Sequence, residues 1–334
     1  MGVKGHVRSW ALVRESLFVR LVASLYHTAV DLSILPLPNF GLTSTAGCRI
    51  LSAKIRVVYV RNILQIDVED WYCDLELRDW SRCEPRVVGA TEKVLSLLKD
   101  ARTKATFFVL GYVAERFPDL VRSIEDQGHE VASHGYAHRR ISDQNPREFE
   151  DDVKRSVAIL EGITGKKVKG YRAPQFTVVK ETLWALDVLR KLGMEYDSSI
   201  FPVKTPLYGI PDAPLYPYAI ESSNGKEGSG FMEIPLSIYT APFLGKRIPV
   251  AGGFYFRFFP YYFIRHALKS INRRGNVAVC YIHPWEFDPD KPRMEGLRWY
   301  HYYRIAATEK KFRKLLADFT FTSTEDWIGH EGRR

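Results

Sequence analysis

The sequence is poor in the features that mark several common classes of protein. It has four cysteines (Cys48, Cys73, Cys83 and Cys280) and no pair at C-x-x-C spacing, which excludes the usual zinc-ribbon and dithiol redox motifs. Cys73 and Cys83 are close enough in sequence to pair, and nothing else in the chain marks it as disulfide-built. No run of about 20 residues is free of charge: the most apolar stretch, 17–37, is interrupted by Arg20, His27 and Asp31, so neither a spanning helix nor a clean signal peptide is expected. Cytoplasmic placement is the corresponding expectation. No basic stripe with interleaved aromatics is present, which argues against a nucleic-acid partner. There are no internal repeats and no low-complexity tracts. Oligomeric state leaves no mark that can be read.

What is present is an ordinary globular composition, 46% hydrophobic and 26% charged over 334 residues, enough for a large core. The net charge of +9 is unevenly spread, because residues 1–60 hold seven Lys/Arg against two acids. That first segment, 1–61, differs from the rest and shows few caps or turns. It reads as an interfacial helix, a docked extra helix, or sequence upstream of the native start.

From Asn62 onward, strands and helices alternate. Ile63–Val68, Ala105–Leu110, Glu130–Ser133, Val168–Tyr171, Tyr196–Ile200 and Val277–His283 read as strands. Val87–Lys99, Val113–Gln127, the segment opened by Asn145-Pro146 with Glu148 at capping-box spacing, Glu181–Leu192, Pro260–Arg273 and Ala306–Ala317 read as helices. The buried stripe of the Asn145-capped helix is expected at Phe149, Val153, Val157 and Leu160. Residues 207–230, rich in Pro, Gly and Ser, read as a loop insertion. Such βα alternation predicts an α/β fold with a parallel sheet, open or closed into a barrel.

Chemistry-bearing residues fall at strand ends. His134-Gly-Tyr-Ala-His138 sets two imidazoles four residues apart after a strand, a spacing that lets both reach one ion. Alone the pair is weak evidence. Asp67-Val68-Glu69-Asp70 ends another strand with three carboxylates, costly there unless a cation or Arg neutralises them. The bland alternative is an acid cluster at a helix N-terminus. Arg172 in Tyr-Arg-Ala-Pro can clamp a carboxylate. His283, ending the apolar run VAVCYI, suits a proton donor. Phe254, Tyr255, Trp285 and Trp299 are either sugar-stacking rings or simple core.

In order along the chain, ILQIDVED, SHGYAH, YRAP, YDSSIFP and YIHP resemble the five motifs of the NodB-homology polysaccharide deacetylases, carbohydrate esterase family 4. The resemblance covers about residues 62–325, leaving 326–334 as a tail. The wording of ATFFVLGYVAERFPDL, AGGFYFR and YIHPWEFDPD is similar to the exosortase-associated branch, which carries a C-terminal extension, here from about residue 200. The resemblance implies a distorted (β/α)7 barrel and hydrolytic removal of N-acetyl groups from a glycan, as in exopolysaccharide biosynthesis. It implies a divalent metal, zinc foremost, on His134 and His138, with Asp67 as base, Arg172 orienting it, His283 as acid and Asp197 tuning the proton carriers. The family's first motif has adjacent aspartates, and here Val68 intervenes. Glu69 is therefore the expected third ligand, sharing a strand face with Asp67, and Asp70 is the alternative. Hydrolysis of a small cyclic amide or imide, and a glycan-binding role without catalysis, are the competing functions.

Overall fold

The chain divides into two units, residues 1–60 and 61–334. The computed structural model describes residues 60–205, 208–220, 230–241 and 245–330. The expectations for 1–59, including the apolar stretch 17–37 and Cys48, fall outside the described residues. No helix among the described residues is long and apolar enough to cross a membrane.

The second unit is built on a curled sheet. Strand β1 (Asn62–Val68) has β2 (Thr106–Val109) on one side, followed outward by β3 (Glu130–Ser133), β4 (Gly170–Tyr171), β5 (Tyr196–Asp197) and a strand at Met232–Glu233. The last of these pairs antiparallel with the edge strand β6 (Tyr218–Ala219), and is β7 in chain order. A hairpin, β8 (Ile238–Thr240) and β9 (Arg247–Pro249), follows. On the other side of β1 lies β10 (Val279–Ile282), and β11 (Phe321–Thr322) pairs with its first two residues. Strands β10, β1 to β5 and β7 are all mutually parallel.

The free edge of β10 turns back on chain that follows β7. Val279 N–H donates to Ser237 Oγ (2.7 Å), and Tyr281 N–H donates to the Ala251 carbonyl (2.9 Å). Gly252 bridges to Tyr281, and a Cβ there would sit 1.7 Å from the Tyr281 carbonyl oxygen, so only glycine allows this approach. These contacts curl the sheet into the expected distorted barrel.

Helices cover its outside: α1 (Val87–Asp100), α2 (Gly111–Arg116), α3 (Pro118–Asp126), α4 (Pro146–Thr164), α5 (Trp184–Lys191), α6 (Gly253–Phe258), α7 (Tyr261–Arg273), α8 (Thr308–Asp318) and α9 (Thr324–His330). The capping box of α4 forms as expected, with Asn145 Oδ1 accepting from Arg147 and Glu148 N–H and Gly165 closing the far end at φ +67°. Two expectations need correction. The helix expected over 113–127 is broken at Phe117, because Pro118 has no N–H to donate and its ring pushes the preceding residue out of helical geometry. On α4, Ser156 is buried in place of Val157, because Ser156 Oγ is drawn inward to Ser133 Oγ (2.9 Å). Cys73 and Cys83 are both buried free thiols, so the disulfide considered from their spacing is absent.

Leu64, Ile66 and Val68 are fully buried on one face of β1, each worth roughly 1.5–3 kcal/mol of burial. The alternate residues Gln65 and Asp67 face a polar interior. Near the N-terminal end of the strands, Glu130 accepts from Thr106 Oγ (2.6 Å), Tyr196 Oη (2.7 Å) and Glu325 N–H (2.9 Å). Burial outweighs these bonds and raises its carboxyl to about 7. An unfolded Glu loses its proton near 4.5, so between about pH 4.5 and 7 the folded state holds a proton that the unfolded state lacks. Stability therefore falls as pH rises through that window. Glu130→Gln is expected to remove this fall, which urea unfolding at pH 5 and pH 8 would show.

Candidate active site

The C-terminal ends of β1, β3, β4 and β10 bring Asp67, Glu69, His134, His138, Arg172 and His283 together. The turn after β3 is not helical. Gly135 and His138 adopt left-handed backbone (φ +75° and +53°), uncommon for a histidine and held by its surroundings. Tyr136 N–H donates to Asp152 Oδ2 (2.8 Å), and the Gly135 and Tyr136 carbonyls accept from Gly111 and Tyr112 N–H. The turn aims both imidazoles at one carboxylate: Glu69 Oε2 lies 2.7 Å from His138 Nε2 and 3.7 Å from His134 Nε2.

The far nitrogens decide the protonation pattern. His134 Nδ1 is 2.9 Å from the Arg172 carbonyl, and His138 Nδ1 is 3.0 Å from the Cys73 carbonyl. A carbonyl only accepts, so each Nδ1 carries a hydrogen, which leaves each Nε2 as the nitrogen that can hold either a proton or a metal. Two imidazole nitrogens and a carboxylate thus converge in a buried place, and a divalent cation can engage all three at once. Glu69, His134 and His138 are the described group with metal-ligand geometry. Burial works against charge on His138, but Glu69 and then Asp74 outweigh it and raise the ring to about 9. Glu69 is in turn held well below the ordinary carboxylate range despite its burial. The donor set fits a metal with nitrogen and oxygen preference.

Asp70 faces away. Its Oδ1 accepts from Trp71 N–H (2.9 Å) and its Oδ2 from Arg86 and Val87 N–H (2.9 and 3.1 Å), so it closes the N-terminus of α1. The helix-terminus reading of the acid cluster thus holds for Asp70, and the ligand geometry for Glu69.

Asp67 Oδ1 accepts from Arg172 Nη1 (2.7 Å), with both side chains buried. Arg172 also donates to Gln65 Oε1, to the Ser198 carbonyl (2.9 Å) and to Ser198 Oγ (2.9 Å), and lies over the Phe108 ring. Asp67 Oδ2 faces His283 Nε2 at 3.8 Å, and the same nitrogen is 3.7 Å from Glu69 Oε1. His283 Nδ1 is 3.4 Å from Glu286 Oε2. Burial disfavours the imidazolium, but carboxylates at both nitrogens, Glu286 foremost, raise its pKa.

Asp197 is not brought to the proton carriers. Ser199 N–H and Oγ donate to its two oxygens (3.1 and 2.6 Å), and it shares a buried environment with Glu233, both acids pushed up by burial. It acts on the site through the turn it holds, since Ser198 meets Arg172 and Ser199 Oγ accepts from Ala173 N–H (2.7 Å). Gln65, Ser198 and Glu286 take part in the site without having been singled out. Glu286 alone had a local signal, an acid three residues after a strand-end histidine. Trp285, weighed as a sugar-stacking ring, instead donates its indole N–H to Glu69 Oε1 (3.0 Å).

Fold and site together define a curled parallel barrel carrying a two-histidine, one-carboxylate metal-type centre beside a carboxylate–imidazole pair. The Polysaccharide deacetylase family model matches residues 84–196, and a domain of unknown function (DUF3473) matches residues 198–329. A peptidoglycan-N-acetylglucosamine deacetylase of Bacillus cereus is 35% identical over 98 residues, 29% of this chain and 36% of the relative. A chitooligosaccharide deacetylase of Sinorhizobium fredii is 37% identical over 100 residues, 30% of this chain and 44% of the relative. The chain thus spans 36–44% of the length of these two curated relatives. In fold it is similar to a Mycobacterium smegmatis protein assigned as a polysaccharide deacetylase (TM-score 0.53, 21% identity, 81% of this chain and 91% of that one). It is similar to the same degree to an allantoinase (TM-score 0.52, 17% identity, 80% and 90%). Residues 84–196 thus match the polysaccharide deacetylase family, and the described unit shares the fold of the Mycobacterium smegmatis protein.

Proposed function

We propose that the protein is a metal-dependent hydrolase that removes acetyl groups from N-acetylated sugars of a glycan. The observation that carries this reading is the convergence of Glu69, His134 and His138, with Glu69 Oε1 3.7 Å from His283 Nε2, which in turn lies 3.8 Å from the Asp67 carboxylate. A divalent ion held there, zinc by the donor set, would polarise the amide carbonyl and stabilise charge developing on its oxygen. Asp67, fixed by Arg172, takes a proton from the attacking water as the water oxygen bonds to the acyl carbon. His283 gives its Nε2 proton to the amide nitrogen as the C–N bond breaks. One water is consumed, and acetate and a free sugar amine leave.

The peptidoglycan and chitooligosaccharide named for the relatives support an N-acetylglucosamine-type substrate. The finer assignment to an exopolysaccharide precursor rests on the wording around residues 251–257 and 281–290. The allantoinase likeness concerns fold alone, so the assay includes imide ring opening for contrast. With zinc supplied, acetate release from N-acetylglucosamine oligomers is expected. Asp67→Asn should keep bound metal while losing about 10²–10⁴-fold in rate. Ring opening of imides without acetate release from any N-acetylated glycan would overturn the reading.

A further inference from the structure

Resting on that functional reading, we infer that Glu286 and Arg257 are positioning residues for the acid His283. The segment matched as a domain of unknown function thereby supplies the acid half of the site. The ligands His134 and His138 and the clamp Arg172 lie within residues 84–196, whereas Arg257, His283, Trp285 and Glu286 all lie within 198–329.

A general acid must hold an N–H toward the leaving nitrogen. Glu286 Oε2 accepts the backbone N–H of His283 (3.0 Å) and stands 3.4 Å from its Nδ1, a buried nitrogen with no hydrogen bond of its own, so one carboxylate oxygen fixes the turn and presents its charge to the ring. Glu286 Oε1 accepts from Arg257 Nε (2.6 Å), and both side chains are 1% exposed. Arg257 Nη1 is fastened by the carbonyls of Tyr300 and Tyr303, each at 2.7 Å. The ring plane of His283 is set independently by Trp285, stacked at 5.0 Å and 21°, whose indole N–H is tied to Glu69.

This arrangement repeats, on the acid side, what Arg172 and Asp67 do on the base side. A buried ion pair is weak evidence of stabilisation, because desolvation consumes most of its Coulomb gain. The Arg257–Glu286 pair makes sense as a device that presents a fixed negative charge to Nδ1. Arg257 stands in the AGGFYFR segment whose glycines approach β10, so the same segment that closes the barrel sets the acid.

The test compares leaving groups. An amine must be protonated to leave, whereas the phenolate of 4-nitrophenyl acetate leaves without a proton. In the full zinc-loaded chain, Glu286→Gln, which is isosteric, is expected to lose about 10²-fold in kcat on N-acetylglucosamine oligomers. It should lose at least about ten times less on 4-nitrophenyl acetate, with unchanged metal content. Arg257→Met should show the same split, and Glu286→Gln carries the test alone if that variant does not fold. Equal losses on both substrates, or no loss on the amide, would overturn the inference. If the wild type cleaves neither substrate, the functional reading fails, and positioning is then decided by NMR. A low-field His283 Nδ1–H resonance is expected in the wild type and not in Glu286→Gln, and its absence from the wild type refutes the pairing.

Discussion

His134→Ala should leave the chain without stoichiometric zinc and bring acetate release down to background. The described residues offer three protein donors at the site, and removing one leaves Glu69 and His138, a pair that also holds a proton well. Metal affinity is expected to fall by more than the 10–100-fold typical of losing an outer-shell partner. Two readouts separate this from general damage. Added zinc stabilises a protein that binds it by mass action, so the wild-type Tm should rise with zinc and the variant's should not. In metal-free buffer the variant should lose only about 1–3 kcal/mol, because the lost imidazole leaves the Arg172 carbonyl without its donor. Stoichiometric zinc or full activity in His134→Ala would remove the metal centre from this site.

The second large effect is expected at Arg172, and it concerns the fold as much as the chemistry. Its guanidinium is the donor for Asp67, Gln65 and both the carbonyl and hydroxyl of Ser198, all of them buried. Methionine preserves much of the volume over Phe108 but strands a carboxylate and two carbonyls away from water. Breaking a buried pair in this way costs about 3–5 kcal/mol. Urea unfolding should report that loss. Lysine should recover little of it, because one ammonium cannot reproduce a planar fork shared among four acceptors. Hydrolysis should fail even where Arg172→Met stays folded at low temperature, since among the described residues Arg172 is the donor that fixes the Asp67 carboxylate. A variant as stable as the wild type would mean that the Arg172 network contributes nothing net to stability.

The sites at strand ends were legible because their signals are local. The capping box at Asn145, the apolar runs of β1 and β10, and the alternation that puts Glu69 on the face of Asp67 each depend on residues close in sequence. The break at Phe117 was also written there, in Pro118, but was masked by continuous apolar spacing. The Arg257–Glu286 pair spans 29 positions and the Trp285–Glu69 bond 216, and no periodicity announces either. Asp197 was assigned a tuning role through resemblance. Its immediate partners, Ser199 and Glu233, tie it to a supporting turn instead, because burial at the end of β5 demands donors close at hand.

Asp70 has an influence that its place at the start of α1 does not reveal. Its carboxylate joins Arg86 and Val87 to the end of β1, which pinches residues 71–86 into an Ω-loop with a closed neck. Trp71 and Trp80 fill that loop from within, and its rim supplies the Cys73 carbonyl and Asp74 that steady His138. The acid that takes no part in the metal-type centre therefore draws tight the purse-string around one of its ligands. Much of the ordering entropy of that ligand is already spent when the chain folds, before any ion or sugar arrives.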